Sequence, residues 1–114
     1  MSDHRRQVGA AGEAMAARWY EAHGYGVVAR NWRCRAGEVD IIARRPGVVV
    51  FAEVKTRGST AFGSGAEAVT WRKQQRLRRL AATWLTESDV HEASVRFDVV
   101  DIGPRGVTVI EAAF

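Results

Sequence analysis

Three ionisable residues, Asp40, Glu53 and Lys55, interrupt two otherwise apolar runs of the chain. These runs, residues 39–43 and 48–54, are rich in β-branched side chains, and a turn-forming segment with proline and glycine separates them. The pattern predicts two β-strands joined as a hairpin. If the hairpin brings the two carboxylates together, they must either share a proton or hold a cation.

The register of the hairpin decides whether these side chains meet. Side chains alternate between the faces of a strand, so Glu53 and Lys55 share one face. If residues 46–47 form a two-residue loop, Asp40 lies directly opposite Glu53. A four-residue loop pairs Asp40 with Phe51 and keeps it on the same face, whereas an odd-length loop would send it to the other face. The sequence therefore predicts that two carboxylates and an amine converge on one patch.

Such a patch suits a hard divalent cation. Carboxylate oxygens favour Mg²⁺ or Mn²⁺ over zinc, which prefers histidine and cysteine ligands. An amine beside them, Lys55, could orient the attacking water or stabilise charge developing on a phosphate. A purely structural salt-bridge cluster is the alternative. The apolar neighbours Ile42, Val49 and Phe51 on the same predicted face argue against an open, solvated cluster.

The spacing of Asp40, Glu53 and Lys55 resembles the Asp…(Asp/Glu)-x-Lys signature of the restriction-endonuclease-like, or PD-(D/E)xK, nuclease superfamily. Longer stretches resemble the YraN-like family of small bacterial proteins; they are residues 31–40, 50–57 and 96–100 and the closing Ala113-Phe114. The resemblance implies a restriction-endonuclease-like α/β core, and within the superfamily it is also similar to the archaeal Holliday-junction resolvases.

The resemblance also implies roles for individual residues. Asp40 and Glu53 would bind Mg²⁺ or Mn²⁺, the Val54 carbonyl would add a ligand, and Lys55 would act in catalysis. In the similar resolvases an acid on the first helix approaches the metal, which makes Glu13 a further candidate ligand. Its alternative role is to complement the helix dipole. Glu38 is a candidate for the same face as Asp40, two residues along, if the strand already includes it.

Length and composition indicate one domain. The chain has 114 residues and 46% hydrophobic content, enough for a single core. We expect a basic N-terminal tail at residues 1–8 and one nuclease-like domain at residues 9–114. A single cysteine excludes an internal disulfide and fits a reducing compartment. No apolar run approaches the roughly 18 residues of a membrane span, and no signal peptide is evident, so the prediction is a cytoplasmic protein without a membrane partner.

Basic residues concentrate on the second predicted helix, residues 68–86, for which Thr70 is a plausible N-cap. The predicted DNA-binding residues are Arg57 before the helix and Arg72, Lys73, Arg76 and Arg79 on it. Like charges this dense repel one another unless an anion such as the phosphate backbone offsets them. Of the 17 basic residues 15 are arginines, and the two lysines are Lys55 and Lys73. An ammonium differs chemically from a guanidinium, so the lysine at position 55 is suggestive.

Hydrophobic periodicity and turn residues predict the order αβββαββ, with helices on both faces of a mixed five-stranded sheet. The predicted elements are helices at residues 9–23 and 68–86 and strands at residues 25–32, 39–43, 48–54, 94–102 and 107–111. The first three strands form an antiparallel meander, and the long helix crosses over so that strand four lies parallel to strand three. The glycine-rich residues 57–65 form a loop, and Asp98 and Asp101 are structural or surface residues.

Together these observations predict a metal-dependent endonuclease that acts on DNA. Similarity to junction resolvases suggests branched or damaged DNA as substrate and a homodimer as assembly. Two alternatives remain open at this point. One is a non-catalytic nucleic-acid-binding protein that keeps the nuclease scaffold, and the other is a protein whose charged cluster is only structural.

Overall fold

The computed structural model describes residues 2–56 and 69–114, with side chains described from residue 9 onward. The elements are α1 (Ser2–Ala22), β1 (Gly26–Cys34), β2 (Gly37–Arg45), β3 (Val48–Thr56), α2 (Trp71–Glu87), β4 (Ser94–Gly103) and β5 (Gly106–Ile110). The predicted αβββαββ order is confirmed. The helix α1 begins before the predicted residue 9 and ends at the predicted stop, where Gly24 adopts a positive φ of 86°.

The five strands form one mixed sheet in the order β1-β2-β3-β4-β5. Strands β1, β2 and β3 make an antiparallel meander, β4 lies parallel to β3, and β5 pairs with β4 in antiparallel fashion. In the central hairpin Arg45 pairs with Val48, and Gly47 has a φ of 97°. This pairing makes the two-residue loop the correct alternative. Glycine supplies the positive φ that such a tight turn needs.

Each face of the sheet carries its own apolar core under one helix. On one face, α1 packs through small residues and Tyr20 against Ile41, Val50 and Val100. The apolar stripe of α2 packs onto the other face; the buried residues there include Val39, Ile42, Val49, Phe51, Leu77, Leu80, Trp84 and Phe97. Both faces of the central strands are covered, which explains why the sequences of β2 and β3 are nearly continuous apolar runs.

The start of α2 is fixed by a capping interaction. Thr70 Oγ1 accepts a hydrogen bond from the backbone N–H of Lys73 at 3.3 Å, which confirms Thr70 as the N-cap. Leu77, Leu80 and Trp84 then hold the helix on the sheet. The cap therefore fixes where the first turn, with Lys73, begins, and the packing places the helix on the sheet.

Asp98 is completely buried, so of the two predicted roles, structural or surface, the structural one is correct. Its carboxylate accepts hydrogen bonds from Tyr20 Oη at 2.6 Å, Arg96 Nε at 2.9 Å and the Ala112 backbone N–H at 3.1 Å. Burial and the adjacent carboxylate raise the pKa of Tyr20, so the phenol stays protonated and donates. This cluster ties α1 to β4 and to the chain after β5.

No helix in residues 2–56 or 69–114 has the length and hydropathy needed to cross a membrane.

Candidate active site

A groove of about 520 Å³ lies between α2, the β1–β2 turn and the ends of β2 and β3. Asp40 and Glu53 lie on its sheet side, and Lys73 and Arg76 line it from α2. Its remaining lining residues are Arg33, Cys34, Arg35, Ala36, Gly37, Glu38, Val39, Ala52, Leu77 and Leu80. The groove therefore combines three carboxylates with several cationic side chains.

Asp40 stands at the point where the pairing of β2 with β3 ends. The last paired residues are Ile41 and Ala52, and the same count places Asp40 opposite Glu53. The Val54 backbone N–H donates a hydrogen bond to Asp40 Oδ2 at 2.8 Å. The side chain thus reaches across to β3, which brings its carboxylate towards Glu53.

The electrostatic environment of Asp40 opposes ionisation. Burial raises its pKa to about 6, and the negative charges of Glu13, Glu53 and Glu38 add to the increase. The hydrogen bond from Val54 acts in the opposite direction but is outweighed. The carboxylate is therefore held among other acids without sufficient compensating charge, and a bound cation would relieve this repulsion.

Glu53 and Lys55 lie together on the α2 face of β3. Lys55 Nζ forms an ion pair with Glu53 Oε1 at 3.0 Å, and the two side chains are 25% and 20% exposed. Burial acts to lower the pKa of Lys55, but the hydrogen bond and charge of Glu53 outweigh it, and the net direction is upward. Lys55 is therefore a cation held beside both carboxylates.

Lys73 is the residue whose place in the site the sequence did not predict. The sequence assigns it to the DNA-binding stripe of α2, yet it also lines the groove with Asp40 and Glu53. Its pKa is lowered, first by the hydrogen bond with Lys55 and then by the positive charge of Lys55. The scarcity of lysine in this chain was the one available signal, since Lys55 and Lys73 are its two lysines.

Asn31 marks a local break in the sheet beside Asp40. Arg30 pairs with Ile41 and Trp32 with Val39, so Asn31 and Asp40 occupy the position between these pairs. Asn31 has a φ of 51°, a left-handed conformation that asparagine tolerates better than most residues. The regular alternation of side chains between the two faces of the sheet fails here.

The packing shows the consequence of this break. Ala29 and Trp32, three residues apart, both pack against the α2 core, and so do Val39 and Ile42. Strict alternation would have placed the members of each pair on opposite faces.

Glu13 and Glu38 both lie near Asp40, but of the two only Glu38 lines the groove. Glu38 lines the groove and forms an ion pair with Arg33 at 2.7 Å. Glu13 faces a second cavity of about 390 Å³, on the α1 side. A Cβ at Gly12 would overlap Thr56 Oγ1, so glycine lets α1 come close to the end of β3 and brings Glu13 near Asp40.

The predicted DNA-binding residues divide into two groups. Arg72, Arg76 and Arg79 are exposed on α2, and Arg76 also lines the groove. Arg57 and the predicted loop at residues 57–65 lie outside the described residues. Arg78, on the same helix, has a different role, because its guanidinium stacks 4.8 Å from the ring centroid of Phe97.

The chemistry of the donor set fits Mg²⁺ or Mn²⁺. Asp40 and Glu53 offer hard oxygen ligands, and a divalent cation would offset the repulsion that raises the pKa of Asp40. Among the described residues, no three His, Cys, Asp or Glu side chains stand close enough to hold a metal by themselves. Mg²⁺ commonly binds proteins through one or two carboxylates and keeps several waters, so two acids suffice for it.

Comparison with known proteins gives a consistent result. The UPF0102 protein of Beutenbergia cavernae is 58% identical over 95 residues, which span 83% of this chain and 80% of the relative. Those of Nocardia farcinica and Frankia alni are 52% and 49% identical over 98 and 112 residues. These matches span 86% and 94% of this chain and 77% and 93% of the relatives. Residues 12–102 match the profile of one family, described as "Uncharacterised protein family UPF0102". The chain therefore belongs to the UPF0102 family, which is the YraN-like family that its motifs resemble.

Proposed function

We propose that this protein is a metal-dependent endonuclease that hydrolyses phosphodiester bonds in DNA. The observation that carries the proposal is the convergence of Asp40, Glu53 and Lys55 beside one groove that cationic residues also line. The pKa of Asp40, raised to about 6 by burial and neighbouring acids, supports a cation at this position over a salt-bridge cluster with only a structural role.

In the proposed site Asp40 and Glu53 hold Mg²⁺ or Mn²⁺, with the Val54 carbonyl as an additional ligand. When bound, the ion supplies Lewis-acid stabilisation of the charge that develops on the phosphate. The protein contributes position: the hydrogen bond from Val54 orients Asp40, and the ion pair with Lys55 orients Glu53. Lys55 in turn orients the attacking water and stabilises negative charge on the phosphate.

The substrate follows from the surface around the groove. Arg72, Arg76 and Arg79 are exposed on α2, and the chain has a net charge of +4. Such a surface binds the phosphate backbone with little dependence on sequence. Resemblance to the junction resolvases points to branched or damaged DNA and to a homodimer. The proposal includes a cytoplasmic location, where DNA and Mg²⁺ are both available.

Cleavage assays test the proposal directly. Purified protein is incubated with labelled linear, flapped and four-way DNA in Mn²⁺, Mg²⁺ or EDTA, beside Asp40→Asn and Lys55→Met. We expect metal-dependent cleavage that falls at least about 100-fold in both variants, because each loses a group that acts on the transition state. The exposed residues Glu87 and Arg105 provide charge-matched controls, Glu87→Gln and Arg105→Met, which should cleave like the wild type.

Two other outcomes would contradict the endonuclease. Binding of DNA without cleavage in any metal would favour a non-catalytic DNA-binding protein, and neither activity would favour the structural cluster. A thermal shift separates the metal from the reaction. At a hundredfold excess over Kd, Mn²⁺ should stabilise the wild type and Glu87→Gln by about 2–3 kcal/mol. It should not stabilise Asp40→Asn.

A further inference from the structure

The groove beside Asp40 has two facing walls. The sheet forms its floor, α2 forms one wall, and the β1–β2 turn forms the other. The turn comes close to the helix at Gly37, because a Cβ at this glycine would lie 3.6 Å from both Arg76 Cδ and Leu80 Cδ1. A molecule that reaches the floor of the groove must therefore fit between the turn and the helix.

The size of the groove limits what can enter it. Its volume of about 520 Å³ lies within the range of about 300–1,000 Å³ typical of pockets that enclose one drug-sized ligand. One nucleotide is a group of this size, whereas a base pair adds a second base and a second strand. Proteins that enclose one nucleotide act on single strands or first extrude the nucleotide from the duplex. The size therefore favours an unpaired nucleotide.

The charge of the walls favours a nucleic acid strand as the occupant. Arg35 on the turn and Arg76 on α2 are exposed and line the groove from opposite walls. Within residues 9–56 and 69–114 neither of them forms an ion pair, whereas Arg33 pairs with Glu38. A guanidinium group can bind a phosphate through two hydrogen bonds or stack on the face of a base. Both walls thus offer a cation without a protein partner.

The lining between these cations is partly apolar. Ala36 on the turn and Leu77 and Leu80 on α2 line the same groove. A phosphate by itself would use only the cationic side chains. A nucleotide also presents the apolar face of its base, so it complements both kinds of lining.

We propose that the groove holds one unpaired nucleotide of single-stranded DNA, with Arg35 and Arg76 contacting it from opposite walls. The inference rests on the proposed function, because the same groove contains the proposed metal site. It specifies the substrate as DNA that is unpaired at the cleaved bond, such as a single strand or a flap, and not a fully paired four-way junction. Arg72 and Arg79 lie outside the groove and contact the backbone of paired and unpaired DNA alike.

Binding in EDTA tests the inference without any need for cleavage. Fluorescence anisotropy gives the Kd for a short oligothymidylate strand and for a duplex of the same length. The duplex carries about twice as much charge per unit length, so electrostatic attraction alone favours the duplex. We expect the wild type to bind the single strand at least about tenfold more tightly, because a duplex must first unpair to enter the groove.

Variants of α2 and of the turn locate the source of this preference. Arg35→Gln and Arg76→Gln should each lower the ratio of the duplex Kd to the single-strand Kd by about tenfold. Arg79→Gln is the matched control, because it removes the same charge from the same helix outside the groove. It should weaken both complexes equally and leave the ratio unchanged. Melting temperatures equal to that of the wild type show that the variants are folded. A wild type without a single-strand preference, or a ratio that falls equally in Arg79→Gln, would overturn the inference.

An abasic strand tests whether the base enters the groove. It keeps the length and charge of the oligothymidylate but lacks the bases, so we expect it to bind at least about tenfold more weakly. Equal affinities would show that only the phosphate backbone is bound, and the assignment of a nucleotide would fail.

Cleavage in Mn²⁺ separates this inference from the function on which it rests. We expect a labelled flap to be cut in its unpaired arm, and a linear duplex and a four-way junction to be cut at least about tenfold more slowly. A single-strand preference that depends on Arg35 and Arg76, without cleavage in any metal, would keep the nucleotide site and reject the endonuclease. Cleavage of paired and unpaired DNA at equal rates would keep the endonuclease and reject the nucleotide site.

Discussion

Asp40 is the residue in which structure and chemistry are most closely linked. It accepts a hydrogen bond from Val54, faces Glu53 across the hairpin and lies near Glu13 and Glu38. Burial and these acids raise its pKa to about 6, above the ordinary value of 3.8. The folded protein therefore binds this proton more tightly than the unfolded chain, and ionised Asp40 costs stability in the absence of a cation.

The pH dependence of stability tests this reading of Asp40. Its contribution is most favourable below about pH 4 and is lost as the pH rises through about 6, because the folded-state pKa is the raised one. Asp40→Asn removes the charge and keeps an oxygen that can accept from Val54. We expect it to be more stable than the wild type by about 1–2 kcal/mol at pH 8 and equally stable at pH 4.

Urea unfolding in EDTA at pH 4, 6 and 8 measures this difference. Glu87→Gln, at an exposed position on α2, provides the control and should show a difference within about 0.5 kcal/mol at every pH. A loss of stability in Asp40→Asn at pH 8 would show that the carboxylate is well compensated in the folded protein, and the case for a cation at this position would fail.

At the scale of single elements, α2 presents different chemistry on its two flanks. Arg72, Arg76 and Arg79 are exposed at spacings that keep them on one side, next to the groove. Arg78 stacks on the other side, 4.8 Å from the centroid of Phe97 and 5.5 Å from that of Phe114. One flank is therefore free to meet an anionic partner, while the other fastens the C-terminal residue to the fold.

The salt dependence of DNA binding distinguishes the flanks. Replacing Arg72, Arg76 and Arg79 together by Gln should weaken binding to all duplexes and reduce the slope of log Kd against log salt by about 2–3, since each lost phosphate contact removes about 0.9. Arg78→Gln should leave the slope unchanged and lower the melting temperature instead. Fluorescence anisotropy measures this slope between about 50 and 200 mM salt, the range over which such affinity falls steeply. Equal slopes for both variants would contradict the assignment.

At the scale of the whole molecule, the Asp98 cluster joins parts of the chain that are distant in sequence. Tyr20 of α1, Arg96 of β4 and the backbone N–H of Ala112 all donate to this one carboxylate. Arg96 also donates to Tyr25 Oη at 2.9 Å, next to the start of β1. The cluster lies under α1, on the side of the sheet away from the groove, and holds the scaffold on which the site depends.

Removal of this carboxylate should be strongly destabilising. Asp98→Ala removes the acceptor of the buried Tyr20 hydroxyl, of the Ala112 backbone N–H and of the part-buried Arg96 guanidinium, which keeps Tyr25 and Glu111 as partners. Removing one partner of a buried ion pair costs about 3–5 kcal/mol. Urea unfolding measures the loss, with Asp89→Ala at an exposed position as the control, expected within about 0.5 kcal/mol of the wild type. A cost below about 1 kcal/mol would mean that water replaces the carboxylate without difficulty.

Local rules were sufficient for the central hairpin. Proline and glycine at positions 46 and 47 predict a tight turn, and a loop of either two or four residues would keep Asp40 on the face of Glu53. The register of the structure has the two-residue loop. The Thr70 cap and the apolar spacing of Leu77, Leu80 and Trp84 likewise fixed α2. These features depend on neighbours within a few residues, so the sequence by itself determined the order of the elements and predicted one shared face for Asp40 and Glu53, whereas the structure supplied the register that sets them opposite each other.

Other features depended on contacts between distant segments, and only the tertiary structure decided them. No local pattern showed that Lys73 lines the groove with Asp40 and Glu53, because that placement depends on how α2 packs on the sheet. The local sequence likewise did not predict the break in alternation at Asn31 or decide that Asp98 is buried. Periodicity places a residue on one face of its own element, whereas packing between elements determines which other side chains share its surroundings.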